Sequence, residues 1–457
     1  MAGGWVRFWT SAEWEKFTPS NPQNHEYFPL LAILLTESKN YPGFRPPFAQ
    51  FFPFDRASRP PSWVRFFSPR IALQFGFVFS VGFVAQTAIR QIRFAKYAFS
   101  SPLPLFSRPN HQTNVPSPNL SVLDLVALQP AESPASAIAR SVQTAQHVEK
   151  LGYKRYWLAE HHSIQGLACS ATPVLIGHIA NATHTIRVGS GGVMLPNHAP
   201  LIVAEQFGTL AALYPGRIDL GLGRAPGSDR PTMYALRRGL QSTGDDFPEL
   251  LHELQTYLGP PQPGQQVHAV PGENSNVPIT LLGSSDYSAQ LAGHLGLPFA
   301  FAAHFAPDEL LPALHLYRRT FNPSASLKQP YAMVGLPIIV APTDAEAQRL
   351  LTTPQQRFLA LIRNQPVELK PPVDSMNGLW SYPEQQAVNG RLRKAIVGSP
   401  ETVARKLAEF VDQTGVQEIL AVTDTYSQSD RLRSYDLLAQ VVASLEYVQT
   451  ATGALAT

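Results

Sequence analysis

A carboxylate and two imidazoles, Glu160-His161-His162, close the apolar run Tyr156-Trp157-Leu158-Ala159, which Lys154-Arg155 precede. Where a buried strand reaches the rim of its sheet, side chains at its end face a pocket while the strand holds their backbone, so titratable groups there can meet a substrate. Imidazole changes charge near neutral pH and a neighbouring carboxylate sets its proton, which suits acid–base work or the stabilisation of a developing charge. A helix-capping Glu followed by surface histidines fits the same letters, so the context has to decide. His161 and His162 are adjacent and point to opposite sides of the chain. They make a poor two-histidine metal face, and no metal is expected.

Three further clusters carry chemistry. Gly189-Ser190-Gly191-Gly192 runs into Val193-Met194-Leu195-Pro196-Asn197-His198. Its glycines let a planar ring or a phosphate approach the backbone, and Asn197 and His198 either line a substrate entrance or satisfy a loop. Gly221-Leu222-Gly223-Arg224-Ala225-Pro226 lacks the glycine spacing of a dinucleotide-binding turn, and Pro226 interrupts the helix start that would receive a pyrophosphate. Arg224 is better placed as an anion ligand, with a rim salt bridge as its plain alternative. Gly283-Ser284-Ser285 offers free N–H groups, two hydroxyls and the positive end of the helix that starts near Asp286; taken alone it reads first as a simple helix cap. Taken with Arg224, it forms a phosphate cradle.

The elements that position these groups alternate regularly from residue 120 onward. Short apolar runs at 121–126, 155–160, 186–192, 217–223, 279–283, 299–303, 334–340 and 418–423 are each followed by an amphipathic segment, at 136–151, 171–181, 201–214, 247–258, 285–295, 308–320, 344–362 and 431–448. Eight such pairs predict an α/β fold, a closed (β/α)8 TIM barrel, whose strands are covered on both faces and therefore almost wholly apolar. Ser399-Pro400-Glu401-Thr402 adds a helix start ahead of Val403, Leu407 and Phe410. An open doubly wound sheet of six strands would leave two pairs unplaced. In a barrel the chemistry sits at the C-terminal ends of the strands, where all four clusters fall.

Residues 1–118 read differently from the barrel at 119–450. They hold 17 of the 25 Phe and 12 Lys+Arg against 5 Asp+Glu, a balance of +7 that outweighs the −4 of the remainder. The overall +3 is therefore local to this extension, and no nucleic-acid partner follows from it. Its aromatic residues follow neither helical nor strand periodicity, so a poorly ordered extension is expected, with a transit-like segment as one alternative. Another is a single membrane helix at 71–89, nineteen uncharged residues between Arg70 and Arg90; membrane contact depends on that segment inserting. The long segment after the fourth strand, with Arg237-Arg238 and Asp245-Asp246, is a candidate lid or a solvated surface. Cys169, the only cysteine, reads as a small buried hydrophobe and points to a reducing, cytoplasmic setting.

Over residues 120–448 the chain resembles the luciferase-like flavin-dependent monooxygenases, the family of bacterial luciferase. The likeness rests on Trp157-Leu158-Ala159-Glu160-His161-His162, on 188–196, on Pro215-Gly216-Arg217-Ile218 with Gly221-Leu222-Gly223-Arg224, and on Val397-Gly398-Ser399-Pro400-Glu401-Thr402-Val403. It implies that His161 is the catalytic histidine, which stabilises reduced flavin and the peroxide at its C4a carbon, beside Glu160. It also implies a non-proline cis peptide at Gly191-Gly192 against the ring, and an FMN phosphate held by Arg224, Ser284 and Ser285, with Gly223 and Gly283 close by. Two departures stand out: Gly283-Ser284 replaces an Ala-Glu pair and Gly223 a reactive cysteine. The resemblance further implies a separate flavin reductase, a small organic substrate oxidised with molecular oxygen, and a homo-oligomer, as a dimer. An F420-dependent hydride-transfer enzyme and a non-catalytic flavin-binding protein are the alternatives.

Overall fold

A computed structural model describes residues 117–225, 230–236 and 245–453. The expectations placed on residues 1–116, the apolar segment 71–89 among them, lie outside the described residues, as does Arg237-Arg238. Among the described residues no helix is long and apolar enough to cross a membrane.

Ten strands occur among the described residues: β1 (Asn119–Asp124), β2 (Arg155–Leu158), β3 (Arg187–Ser190), β4 (Val193–Met194), β5 (Ile218–Gly223), β6 (Ile279–Gly283), β7 (Phe299–Phe301), β8 (Ala332–Val340), β9 (Ile396–Gly398) and β10 (Glu418–Val422). Eight of them close a parallel ring in the order β1-β2-β3-β5-β6-β7-β8-β10, with β10 paired back to β1. This is the expected (β/α)8 TIM barrel, and the open sheet is excluded. β8 shows why the ring forms: all nine residues of its AMVGLPIIV are buried, as a strand with apolar cover on both faces requires. Pro337 has no N–H to give a ladder, and it stands where β8 leaves β10, at Val422, and takes up β9 from Ile338 onward.

Helices cover the outside: α1 (Pro134–Lys150), α2 (Thr172–Ala182), α3 (Pro200–Leu213), the short α4 (Arg230–Leu236), α5 (Phe247–Leu258), α6 (Asp286–Leu295), α7 (Leu310–Thr320), α8 (Asp344–Ile362), α9 (Tyr382–Arg391), α10 (Pro400–Thr414) and α11 (Gln428–Gly453). Their starts follow the sequence signals. The hydroxyls of Ser133 and Ser399 accept from the N–H groups of Ser136 and Thr402, each with Pro at the first helical position. Between β8 and β10 the chain inserts α9, β9 and α10, of which only the start of α10 was legible. The insertion also sends the stretch after α8 across the loops that follow β1 and β2: Val367 N–H donates to Gln165 O at 2.9 Å and Leu369 N–H to Leu128 O at 2.7 Å.

The N-terminal end of the ring is closed by charge. Glu418, fully buried at the start of β10, accepts from Ser121, from Arg155 at 2.8 Å and from Tyr331 at 2.6 Å. Arg155 also reaches Asp219 at 2.7 Å, and Asp219 accepts from Arg187 and from the Trp157 indole at 3.1 Å. Buried charges tolerate such a place only when paired and hydrogen-bonded on several sides.

Candidate active site

β2 delivers Glu160, His161 and His162 just past its C-terminal end, held by Gly191 N–H donating to Leu158 O at 2.8 Å and by the Thr172 hydroxyl on Ala159 O at 3.1 Å. Glu160 is almost fully buried. Its Oε1 meets Nε2 of His162 at 3.1 Å and Nε2 of His198 at 2.9 Å, so each ring in its Nε2–H tautomer donates to one oxygen. Burial pushes the Glu160 carboxyl up, but these two bonds outweigh it and leave the group below its ordinary value.

His161 takes the other side. Its Nδ1 is shielded from water and has no hydrogen-bond partner among the described residues. Burial, then the Arg357 guanidinium and His304, push its pKa down to about 4, so the imidazole is neutral at pH 7. Arg357 comes from α8 and is ion-paired to Asp424, which follows β10. His304, after β7, is also lowered by burial, with its Nδ1 3.4 Å from Gly335 O. A neutral ring with an unused nitrogen can give or take one hydrogen bond to a bound molecule without a charge penalty.

At the end of β3 the Gly191-Gly192 peptide is cis, as the resemblance implies. The two glycines answer first to the barrel's own packing. A Cβ on Gly191 would stand 2.6 Å from Leu123 Cδ1 and 3.2 Å from Trp157 Cβ, and one on Gly192 would stand 2.7 Å from Gly221 O. Ser190 Oγ locks this corner, donating to Gly221 O at 2.8 Å and accepting from Gly221 N–H at 3.0 Å. Gly223 is different: a Cβ there would stand 3.4 Å from Met194 Sδ and 3.9 Å from Val193 O, ordinary contacts rather than clashes.

Arg224, next after β5, lays its guanidinium 4.2 Å from the centre of the Tyr287 ring, in the first turn of α6. This brings it to the helix end that Gly283, Ser284 and Ser285 lead into. Ser285 is the N-cap, in extended conformation, and its side chain makes no capping bond. The helix therefore keeps N–H groups that its own cap does not use, beside a cation, which is the donor set an anionic phosphate needs. An orphaned buried nitrogen at one strand end and an uncapped helix start with an arginine at another fit a phosphorylated, ring-bearing cofactor.

Other expected residues fall into place unevenly. Asn197, 5% exposed, sits in the short turn Leu195–Asn197, and His198 is drawn onto Glu160 rather than standing alone at an entrance. Asp245-Asp246 simply precede α5. Cys169 is buried and its thiol is pushed up to about 12 by burial, which suits a hydrophobe and not a nucleophile. Sequence reasoning missed His304, Arg357 and Asp424. His304 and Asp424 stand just past β7 and β10, where the strand-end rule applied to every strand would have found them; Arg357 gives no signal within its helix.

Residues 119–418 match the luciferase-like monooxygenase family, and the chain belongs to it. The E. coli protein named luciferase-like monooxygenase is 49% identical over 71% of this chain and 97% of its own. The uncharacterised YvbT of Bacillus subtilis is 55% identical over 70% of this chain and 96% of its own. Among solved structures, apo-MsnO8 superposes with a TM-score of 0.66 at 36% identity, covering 71% of this chain and 98% of that one.

Proposed function

We propose that the protein is an FMN-dependent monooxygenase acting on a small organic substrate. One observation carries this reading: a neutral, half-buried His161 with an unengaged Nδ1 and the Arg224–Tyr287 pair at the open start of α6 lie at C-terminal ends of strands of one closed barrel. Arg224, Ser284, Ser285 and the first N–H groups of α6 would hold the phosphate, with Gly223 and Gly283 beside them. Gly191 and Gly192 would back the ring. Bound reduced flavin supplies two electrons and the activation of molecular oxygen. The chain's own part is to position and to protect. His161 offers a hydrogen bond without a mobile proton of its own near pH 7, and Glu160 fixes His162 and His198 toward the substrate side with Asn197 next to them.

Two relatives support the class. The N-acetyl-S-alkylcysteine monooxygenase of Bacillus subtilis is 31% identical over 71% of this chain. The oxygenating constituent of 3,6-diketocamphane monooxygenase, in complex with FMN, shares the fold at a TM-score of 0.55 and 19% identity. An F420-dependent secondary alcohol dehydrogenase shares it as well, at 0.51 and 15%, so the cofactor has to be tested directly. The same reading includes a separate flavin reductase, a reducing cytoplasmic setting, and a homodimer through α2 and α3, which expose Val174, Ile202 and Leu213.

The test titrates the full chain anaerobically with photoreduced FMN or reduced F420 and then admits oxygen. Saturable FMN binding followed by a transient absorbance before the oxidised spectrum returns is the expected result. His161→Ala should keep FMN affinity within a few-fold and shorten the transient. Arg224→Ala should weaken FMN binding by roughly 10-fold or more, the scale of a lost charge-assisted phosphate contact. Binding of F420 alone, or equal affinity losses in both variants, would overturn the assignment.

A further inference from the structure

Glu160, His162 and His198 form more than a hydrogen-bonded trio. Their three ligand atoms, Glu160 Oε1 and the two Nε2 atoms, all lie within 4.8 Å of one another. The rings are 6.3 Å apart and tilted by 52°, so they do not stack; both edges converge on the same carboxylate oxygen. In a tetrahedral site with metal–ligand bonds of about 2.0–2.2 Å, neighbouring donors stand roughly 3.3–3.5 Å apart. The carboxylate oxygen stands 2.9 and 3.1 Å from the two nitrogens, each a few tenths of an ångström short of that spacing, and the third pair lies within 4.8 Å.

The charge balance points the same way. Glu160 is 2% exposed, and among the described residues the partners that reach its carboxylate are imidazoles, with no lysine or arginine. A divalent cation held between these rings and the carboxylate would supply the buried Glu160 with a fixed counter-charge. The side chains of His162 and His198 remain 14% and 27% exposed, which leaves a path from solvent and a coordination position for water. His161, turned away, is not part of the set. Two imidazoles and one carboxylate are borderline ligands, suited to zinc and its neighbours rather than to magnesium or calcium.

We propose that Glu160, His162 and His198 form a binding site for a divalent transition-metal ion of the zinc type, with at least one open coordination position, at the rim of the barrel. Metal on both Nε2 atoms removes the hydrogens that these rings otherwise donate to Glu160 and locks the three side chains together. Zn2+ is therefore expected to inhibit turnover reversibly; that consequence rests on the monooxygenase reading, while the binding does not.

The experiment titrates the full chain with Co2+, read by its visible absorption, and then displaces it with Zn2+. One equivalent with the intense bands of a four- or five-coordinate ion is expected. His198→Ala and Glu160→Gln should each weaken binding by at least about 10-fold, the loss caused even by changes behind a ligand. His268→Ala, which removes the exposed His268–Glu273 pair, should leave it unchanged. If Glu160→Gln does not fold by circular dichroism, His198→Ala decides the matter. No saturable binding, or equal affinity in wild type and His198→Ala, overturns the proposal. Reduced FMN binding without metal binding sinks the metal site alone; metal binding without FMN binding sinks the flavoenzyme reading alone.

Discussion

Replacing His161 by Gln should change how stability depends on pH. The pKa of His161 falls from 6.5 to about 4 in the folded chain, first because the ring is buried and then because Arg357 and His304 oppose a second charge. The unfolded chain therefore binds the extra proton between those two values. His161 adds no penalty above about pH 6.5, and stability is lost progressively as the pH falls toward 4. For a shift of this size, unfolding free energy should drop by roughly 2 kcal/mol between pH 7 and pH 4.5 through this residue alone, an upper bound because the ring is not sealed from solvent. Urea unfolding followed by tryptophan fluorescence, for wild type and His161→Gln at both pH values, isolates it. Carboxylates and His304 titrate in both proteins and cancel in the difference. The wild type should lose more stability than the variant by about that amount. Parallel losses would refute a His161 held neutral by its surroundings.

The strand ends invite two contrasts. Gly221→Ala would drive its Cβ onto the Ser190 carbonyl and to 2.7 Å from Leu282 Cδ1, and should cost about 3 kcal/mol or more in urea unfolding, whereas Gly223→Ala, with Met194 Sδ at 3.4 Å and Val193 O at 3.9 Å, should stay within about 1 kcal/mol. Asp124→Asn should cost about 3–5 kcal/mol, because it leaves the buried Arg431 guanidinium, 2.9 Å away, without its counter-charge. A loss below about 1 kcal/mol in that variant, measured in the same assay, would show that the pair is replaceable.

How much of this was legible depends on what each feature needs. Hydrophobic runs such as those of β8 and β5 are local, so the eight ring strands and their helices could be counted in advance, although most ends drifted by one or two residues and those of the last helix by three and five. The run at 186–192 was taken as one strand; it is β3 and a cis peptide, with β4 following at Val193–Met194, because no periodicity marks a break between two glycines. Glu160, His161 and Arg224 were visible because each follows an apolar run. The convergence of His198 on Glu160 was not, since the two are separated by 38 positions and are joined only when β2 and β4 reach the same rim. Arg357 lies in a helix that was counted, but nothing within that helix marks it, and the crossing segment at 367–369 belongs to an insertion whose path no local pattern encodes.

The two ends of the barrel divide stability from reactivity through the way their polar atoms are used. At the N-terminal end Glu418, Arg155, Asp219 and Arg187 each satisfy one another at 2.6 to 2.8 Å, and Ser121, Tyr331 and Trp157 take up further valences. Such a set has no capacity left for a ligand, and conservative changes there should alter stability before function. At the C-terminal end the pattern is reversed: His161 Nδ1 has no partner, the side chain of Ser285 caps nothing, and Glu160 holds two imidazoles by a single oxygen. Trp157 joins the two ends, its indole N–H bound to Asp219 below and its Cβ packed beneath Gly191 above. Trp157→Phe, which drops that N–H and leaves a cavity where the buried indole's second ring stood, should therefore cost about 2–3 kcal/mol in unfolding free energy and still leave reduced-flavin affinity within a few-fold, by titration of the variant. A large loss of affinity with unchanged stability would mean that the lower charge ring tunes the upper site, against the division argued from the saturated and unsaturated atoms.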